Sequence, residues 1–227
     1  MRAIITTESD IIMYKLAIFD VDGTLLNTLD DLNDCMNIFL KKRSFPLISV
    51  DKTREYVGNG AKVYVQKATG ICDERVLDEY TKEYSQILKE CGNKSTKVYD
   101  GLDKVLKKLK SDGVTLAILS NKPQAAVEKC CEKYLQNYDF SCVLGEREGV
   151  KRKPAAESVQ LILNTLGFSS KDAVMIGDTE VDYQTAINGG IDCINVLWGF
   201  RDKNQLILSG ANNFVSTAEE LYDKIIG

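Results

Sequence analysis

The chain has 227 residues, a formal net charge of −4 from 29 Lys+Arg against 33 Asp+Glu, seven cysteines and no histidine. Without an imidazole there is no Ser-His-Asp or Cys-His nucleophile pair, no zincin site and no His-ligated zinc or haem. Catalysis must then run on carboxylates, amines, hydroxyls or a metal held by oxygen. The acidic balance, with a pI of about 5.1, argues against a nucleic-acid or membrane partner, since either calls for a basic patch.

The length suits one large domain, or a main domain carrying an insertion. With 44% hydrophobic and 27% charged residues the chain is expected to fold and to be water-soluble. Cys35, Cys72, Cys91, Cys130, Cys131, Cys142 and Cys193 are odd in number and scattered, which reads as reduced core thiols in a cytoplasmic protein. No apolar run approaches the ~18 residues of a membrane helix, and the N-terminus lacks the charged, apolar and small-residue regions of a signal peptide. Residues 1–12 read as a prefix before Met13, set by an upstream start codon.

In chain order, a short apolar run at 16–19 predicts a first strand. From 30 to 99 the pattern is helical, over 32–40, 61–69 and 74–89, with breakers at Pro46, Gly58, Gly60 and Gly70 and no strand run. This stretch reads as a small helical domain, hinged near 28–32 and 94–99. Leu102, Val105, Leu106 and Leu109 then predict a helix ending at Gly113, followed by strand runs at 114–119 and 140–144. Val159, Leu161, Ile162 and Leu166 predict a helix ending at Gly167, followed by strand runs at 173–176 and 193–197. Near-continuous apolar runs are how strands buried on both faces read. Alternation of strand and helix predicts an α/β fold, a doubly wound parallel sheet with a Rossmann-like core. The core spans 13–28 and 98–227, and the helical insertion 29–97.

In such a sheet, ligands bind outside the carboxyl ends of the strands, so the residues following each run carry the chemistry. The first run ends in Asp20-Val21-Asp22-Gly23-Thr24, the second in Ser120-Asn121-Lys122, and the fourth in Gly177-Asp178-Thr179-Glu180-Val181-Asp182. Lys151-Arg152-Lys153-Pro154 follows the third run and opens a helix. Carboxylates converging there need a cation, and without His or a Cys cluster the oxygen-liganded choice is Mg²⁺. Asp20 suits a nucleophile that attacks phosphorus. Asp22 suits a general acid and then a general base, which requires its carboxyl to hold a proton for part of the cycle. Gly23 permits a turn whose amides face a phosphate. Ser120 and Asn121 offer neutral donors, and Lys153 a point charge beside Asp20. Asp178 completes the metal shell, and Asp182 is placed to bond a metal-bound water or Lys153.

These residues, in this order, resemble the four motifs of the haloacid dehalogenase superfamily of Mg²⁺-dependent phosphohydrolases, over the chain from about Met13 to the end. The resemblance implies that Asp20, Asp178 and the backbone carbonyl of Asp22 bind Mg²⁺, and that the helical insertion is a cap whose movement excludes water. Tyr56-Val57-Gly58-Asn59-Gly60-Ala61 and the run at 25–32 resemble phosphoglycolate phosphatases, which implies a small phosphorylated metabolite as substrate, with Gly58, Asn59, Gly60 and Thr24 among the binding residues. One departure is Ala156, where the family often has a second proline.

Plainer roles stand beside these. Asp178 could be a helix cap and Asp182 a first-turn acid. Lys151 or Arg152 could take the place of Lys153, and Gly58 and Gly60 could simply break helices. The aromatics, including Tyr183 and Trp198, read as packing, and Lys104, Lys107, Lys108 and Lys110 as a solvated helix face. Rival functions are a sugar phosphomutase of the same superfamily, a hydrolytic dehalogenase, which has no leaving oxygen for Asp22 to protonate, and a phospho-Asp signalling module. Oligomeric state is not legible in the sequence.

Overall fold

A computed structural model describes residues 14–91 and 94–227. The expected prefix at 1–12, Met13, and positions 92 and 93 of the insertion lie outside the described residues. The chain opens with β1 (Leu16–Phe19) and the two-residue β2 (Leu26–Asn27), then α1 (Leu29–Lys42), α2 (Val50–Tyr56), α3 (Gly60–Thr69) and α4 (Glu74–Cys91). It continues through β3 (Lys97–Val98), α5 (Leu102–Ser111), β4 (Thr115–Pro123), α6 (Gln124–Cys130), β5 (Phe140–Glu146) and α7 (Ala156–Leu166). It closes with β6 (Ala173–Gly177), α8 (Glu180–Gly189), β7 (Asp192–Val196), α9 (Lys203–Leu208), β8 (Phe214–Val215) and α10 (Ala218–Ile226).

Six strands form one sheet in the order β5-β4-β1-β6-β7-β8, and every pair is parallel. The fold is therefore the expected α/β type. Side chains alternate across each strand, so β1 sends Ala17 and Phe19 to one face and Leu16 and Ile18 to the other. On the first face, Leu102, Leu106 and Leu109 of α5 and Leu221 and Ile225 of α10 complete a core. On the second, Val159, Ile162 and Leu163 of α7 and Ala186 of α8 do so. Both faces of the central strands are covered, which is why the runs are apolar throughout.

Between β1 and β4 the chain leaves the sheet and returns through an antiparallel ladder, Leu26 opposite Val98 and Asn27 opposite Lys97. Two residues are too short to show a period, so the sequence predicts no strand there, and α2, only seven residues long, is likewise absent from the predicted helices. Ser49 starts that helix by accepting from the Lys52 amide at 3.2 Å. Helices α1–α4 share a core of their own, with Phe39 edge-on to Tyr80 and Tyr84, and Phe200 reaches it from beyond β7. The Asp31 carboxylate ties α1 to the returning chain by accepting from the Lys94, Ser95 and Thr96 amides and from the Thr96 hydroxyl at 2.5 Å. Burial opposes its ionisation, but these donors outweigh burial and hold its carboxyl below the usual range.

Two details differ from expectation. Strand β4 runs on to Pro123 with a register shift before Pro123, so Ser120, Asn121 and Lys122 lie in its irregular extension rather than after its end. Helix α7 begins at Ala156, three residues past Lys153, which stands in the connecting loop. Among the described residues, Cys35, Cys72, Cys130, Cys131, Cys142 and Cys193 are thiols outside any disulfide, and no helix is long and apolar enough to cross a membrane.

Candidate active site

Strand β1 is central, with β4 and β6 on either side and the connections running away in opposite directions, so the crevice at its carboxyl end is the switch point of the sheet. Asp20 leaves β1 there, its amide donating to the Ile176 carbonyl of β6 at 2.9 Å. Asp178 follows β6 directly, and Asp182 lies in the first turn of α8. Carboxylate oxygens of Asp20, Asp178 and Asp182 fall within 4.8 Å of one another.

Lys153 threads into this group. Its ammonium lies 2.9 Å from Asp20 Oδ1 and 2.5 Å from Asp182 Oδ1, with the whole residue 3% exposed. Burial alone would lower its pKa, but Asp182 and Asp20 outweigh burial and raise it, so the lysine stays charged. The other oxygen of Asp182 accepts from the Thr179 amide at 3.1 Å and the Thr179 hydroxyl at 2.8 Å. Asp182 is thus both the partner of Lys153 and a brace for the start of α8. Lys151 pairs with Glu157 in solvent and Arg152 lies 3.9 Å from Glu146, so neither occupies the place of Lys153.

Asp178 is fully buried. Its Oδ1 accepts from the Thr24 hydroxyl at 2.9 Å and its Oδ2 from the Phe200 amide at 2.8 Å. A Cβ on Gly23 would fall 2.2 Å from Asp178 Oδ2, and Gly23 has φ +88°. Only glycine allows the Asp22–Thr24 turn to press so close to this carboxylate. Thr24 and Gly23 therefore pack against Asp178, and neither lines the open cleft. Ser120 Oγ accepts from the Lys122 amide at 3.4 Å. Asn121 Nδ2 donates to the Lys153 carbonyl at 3.1 Å, which makes Asn121 a clamp on the lysine loop, while its Oδ1 is buried without a partner among the described residues.

The Asp22 side chain turns away from the three-carboxylate cluster. Both its oxygens accept from Lys122 Nζ, at 2.8 and 3.1 Å. Burial opposes the charge on Lys122, but Asp22 outweighs it and raises the lysine pKa. Sequence reasoning gave Lys122 no role, although it stands in the second polar cluster. It also passed over the fifth run, whose sequel Trp198-Gly199-Phe200-Arg201 supplies the amide that holds Asp178. Trp198 Nε1 donates to the Thr24 carbonyl at 3.1 Å, and Arg201 bonds Glu180 at 2.8 Å and the carbonyls of Arg54 and Val57 at 2.7 and 2.9 Å. A glycine flanked by aromatics just past a strand was the signal available for it.

Three buried carboxylates face one ammonium. Burial, with Asp182 and Asp22 adding to it against the opposing effect of Lys153, pushes Asp20 up to about 6. Burial with Asp182 and Asp20 pushes Asp178 well above the usual carboxylate range. Such crowding is relieved by a cation, and the donors are all hard oxygens, so the set fits Mg²⁺ better than a softer metal. Each Asp178 oxygen accepts a single hydrogen bond, whereas Asp182 Oδ2 accepts two and Asp182 Oδ1 is held by the Lys153 ammonium.

The cluster opens into a cleft of about 590 Å³, part of it open to solvent. Asp20, Asp22, Ser120, Asn121, Lys122 and Lys153 form one wall. Leu32, Val57, Ala61, Tyr64, Tyr84 and Leu88 form the other, with Gly58 just before α3 and Gly60 at its first residue. Asn59 does not reach the cleft, although it precedes α3.

Residues 17–196 match the family model described as haloacid dehalogenase-like hydrolase. A phosphoglycolate phosphatase of Psychrobacter arcticus is 30% identical over 194 residues, covering 82% of this chain and 84% of that protein. One from Pseudomonas savastanoi pv. phaseolicola is 28% identical over 196 residues, covering 82% and 70%. The crystal structure of a candidate phosphoglycolate phosphatase from Lactobacillus delbrueckii subsp. bulgaricus superposes with a TM-score of 0.84 at 32% identity, over 95% of this chain and 100% of that one. With the motif residues gathered at the switch point of the sheet and a family match over most of its length, the chain belongs to the haloacid dehalogenase-like hydrolases.

Proposed function

We propose that the protein is a Mg²⁺-dependent phosphatase of small phosphomonoesters, with phosphoglycolate-like substrates favoured, working through a phosphorylated Asp20. The observation that carries this reading is the buried Lys153 ammonium between Asp20 and Asp182, with Asp178 alongside. Such a group can accept a phosphoryl dianion beside a carboxylate nucleophile.

Asp20 and Asp178, with the Asp22 backbone carbonyl, would hold the metal. Mg²⁺ when bound neutralises the carboxylates and draws charge from the phosphoryl oxygens. An Asp20 oxygen attacks phosphorus as the bond to the leaving alcohol breaks, and Asp22 delivers a proton to the departing oxygen. Water then attacks the phospho-aspartate, with Asp22 taking its proton back, and inorganic phosphate and free Asp20 result. To carry that proton Asp22 gives up its contact with Lys122, which makes Lys122 a positioning residue. Ser120 and Lys153 hold the transferring phosphoryl oxygens.

In this reading the helical segment 29–97 acts as the cap over a catalytic core of 13–28 and 98–227. The β2–β3 ladder and the Asp31 bonds lie at its hinge, and Gly58 and Gly60 stand at its contact with the site. The expected substrate is a small phosphorylated metabolite and the expected compartment is the cytoplasm. The test is a phosphate-release screen over small phosphates and an aryl phosphate, with and without Mg²⁺. Release that requires Mg²⁺ and disappears in Asp20→Asn supports the proposal. No release from any ester, or full activity in Asp20→Asn, overturns it.

A further inference from the structure

The helical wall of the cleft is apolar apart from two phenols, and these two differ. Tyr64 shares its hydroxyl with Thr53 Oγ1 at 2.8 Å. The hydroxyl of Tyr84, in the middle of α4, has no hydrogen-bond partner among the described residues, although the residue is 1% exposed. Buried hydroxyls are nearly always bonded, and one left without a partner destabilises the fold. The ring is held where it is, edge-on to Tyr64 with centroids 5.6 Å apart and to Phe39 at 6.5 Å. Tyr84 nevertheless lines the same cleft as Asp20, Asp22 and Lys153. Burial raises its pKa well above that of a free phenol, so it stays a donor.

Among the described residues, no Lys or Arg side chain of α1–α4 lines the cleft. Both lysines there, Lys122 and Lys153, come from the sheet side and are paired with aspartates. Asn121 Oδ1 is also unpartnered, but its amide nitrogen is fixed on the Lys153 loop beside the reacting group. Tyr84, carried by a helix rather than by the strand ends, is placed for the part of a ligand that is not phosphate.

We propose that Tyr84 is a specificity-determining residue whose hydroxyl donates a hydrogen bond to an oxygen of the leaving group. The substrate class is then a phosphate ester of a short alcohol carrying one acceptor oxygen, a carboxylate or a carbonyl, rather than a plain alkyl ester. This rests on the phosphatase reading above. A site that donates to a ligand oxygen discriminates against an analogue lacking it, because the buried donor is then left unpaired.

The test compares kcat/KM for 2-phosphoglycolate, glycolaldehyde phosphate and ethyl phosphate in the wild-type protein and in Tyr84→Phe, each with Mg²⁺. In the wild type at least one acceptor-bearing ester is expected to exceed ethyl phosphate by ~10–100-fold, and Tyr84→Phe is expected to bring that ratio towards one. Which ester leads separates a carboxylate from a neutral carbonyl. Tyr84→Phe without ligand is also expected to melt ~2–4 °C higher, because it removes an unpaired buried hydroxyl. An unchanged ratio, an equal fall on all three esters, or a lower melting temperature overturns the inference. Turnover of an aryl phosphate with none of the three esters accepted overturns the substrate class alone. A wild-type protein inactive on the aryl phosphate as well overturns the phosphatase reading itself.

Discussion

The two walls of the cleft are built on different principles. The sheet wall consists of polar side chains at strand ends, where a parallel sheet fixes the backbone and each carboxylate meets a lysine, a hydroxyl or an amide. The helical wall is apolar apart from two phenols, its residues' positions follow from a separate hydrophobic core, and among the described residues Tyr84 is its one side chain with an unpartnered polar group. In the proposed reading, reactivity needs groups held against their mutual repulsion, which the rigid sheet provides, and selection needs a surface that can differ without disturbing them. Arg201, joining Glu180 to the carbonyls of Arg54 and Val57, links the two walls.

That contrast can be broken first at Asp20. Asp20→Asn should lower phosphate release from an aryl phosphate by ~10⁴-fold or more, with a melting temperature no lower than that of the wild type, since the amide keeps the shape and relieves the crowding of carboxylates. Substantial residual turnover would mean that reactivity does not reside on the sheet wall. Next in size is Lys153→Met, which leaves Asp20 and Asp182 buried without their counter-charge. A loss of about 3–5 kcal/mol in denaturant unfolding is expected, and a loss below ~1 kcal/mol, typical of an exposed ion pair, would show that the lysine is not the keystone of this wall.

A third test uses pH and metal removal. Asp20 and Asp178 have raised pKa values in the folded protein without metal, so the folded state binds more protons than the unfolded state above the ordinary carboxylate range. Metal-free protein should therefore lose stability as pH rises above about 4, through about 6 for the Asp20 share and onward for the Asp178 share. Asp20 alone would contribute up to ~3 kcal/mol of this change. Asp31, with its lowered pKa, acts in the opposite sense, losing stability only as pH falls below the ordinary carboxylate range. Thermal melts in EDTA across this window should show the fall, and excess Mg²⁺ should flatten it; identical curves with and without Mg²⁺ would remove the metal from the sheet wall. The smallest effect is expected at the junction. Gly58 has φ +109°, and a Cβ there would lie 3.3 Å from Thr179 Cγ2. Gly58→Ala should cost about 1 kcal/mol. A neutral result in thermal melts would show that the loop does not need this conformation.

The apolar runs made the parallel sheet legible because both faces of its central strands are covered, so strand and helix differ in length and period. The cluster of Asp20, Asp178, Asp182 and Lys153 was legible for a related reason, since each follows a run whose carboxyl end must reach the same edge. Elements of two residues, such as β2, β3 and β8, carry too few side chains to show any period. Helix α2 is marked only by the Ser49 cap. Asp22 was legible as a residue of the site, but not its turn toward Lys122, nor Asn121 acting as a clamp rather than facing the cleft with both donors.

Chain order by itself determined the α/β class, the helical stretch between β1 and β4 and the acidic, histidine-free residue set, because these depend on composition and on periodicity along the backbone. Tertiary structure alone decided that Phe200 would hold Asp178, that Arg201 would clasp the loop before α3, and that Tyr84, a residue lining the cleft, would keep a buried hydroxyl without a partner among the described residues. Those contacts join residues far apart in sequence, and whether a buried polar atom finds a partner depends on the packing around it, which no local pattern records.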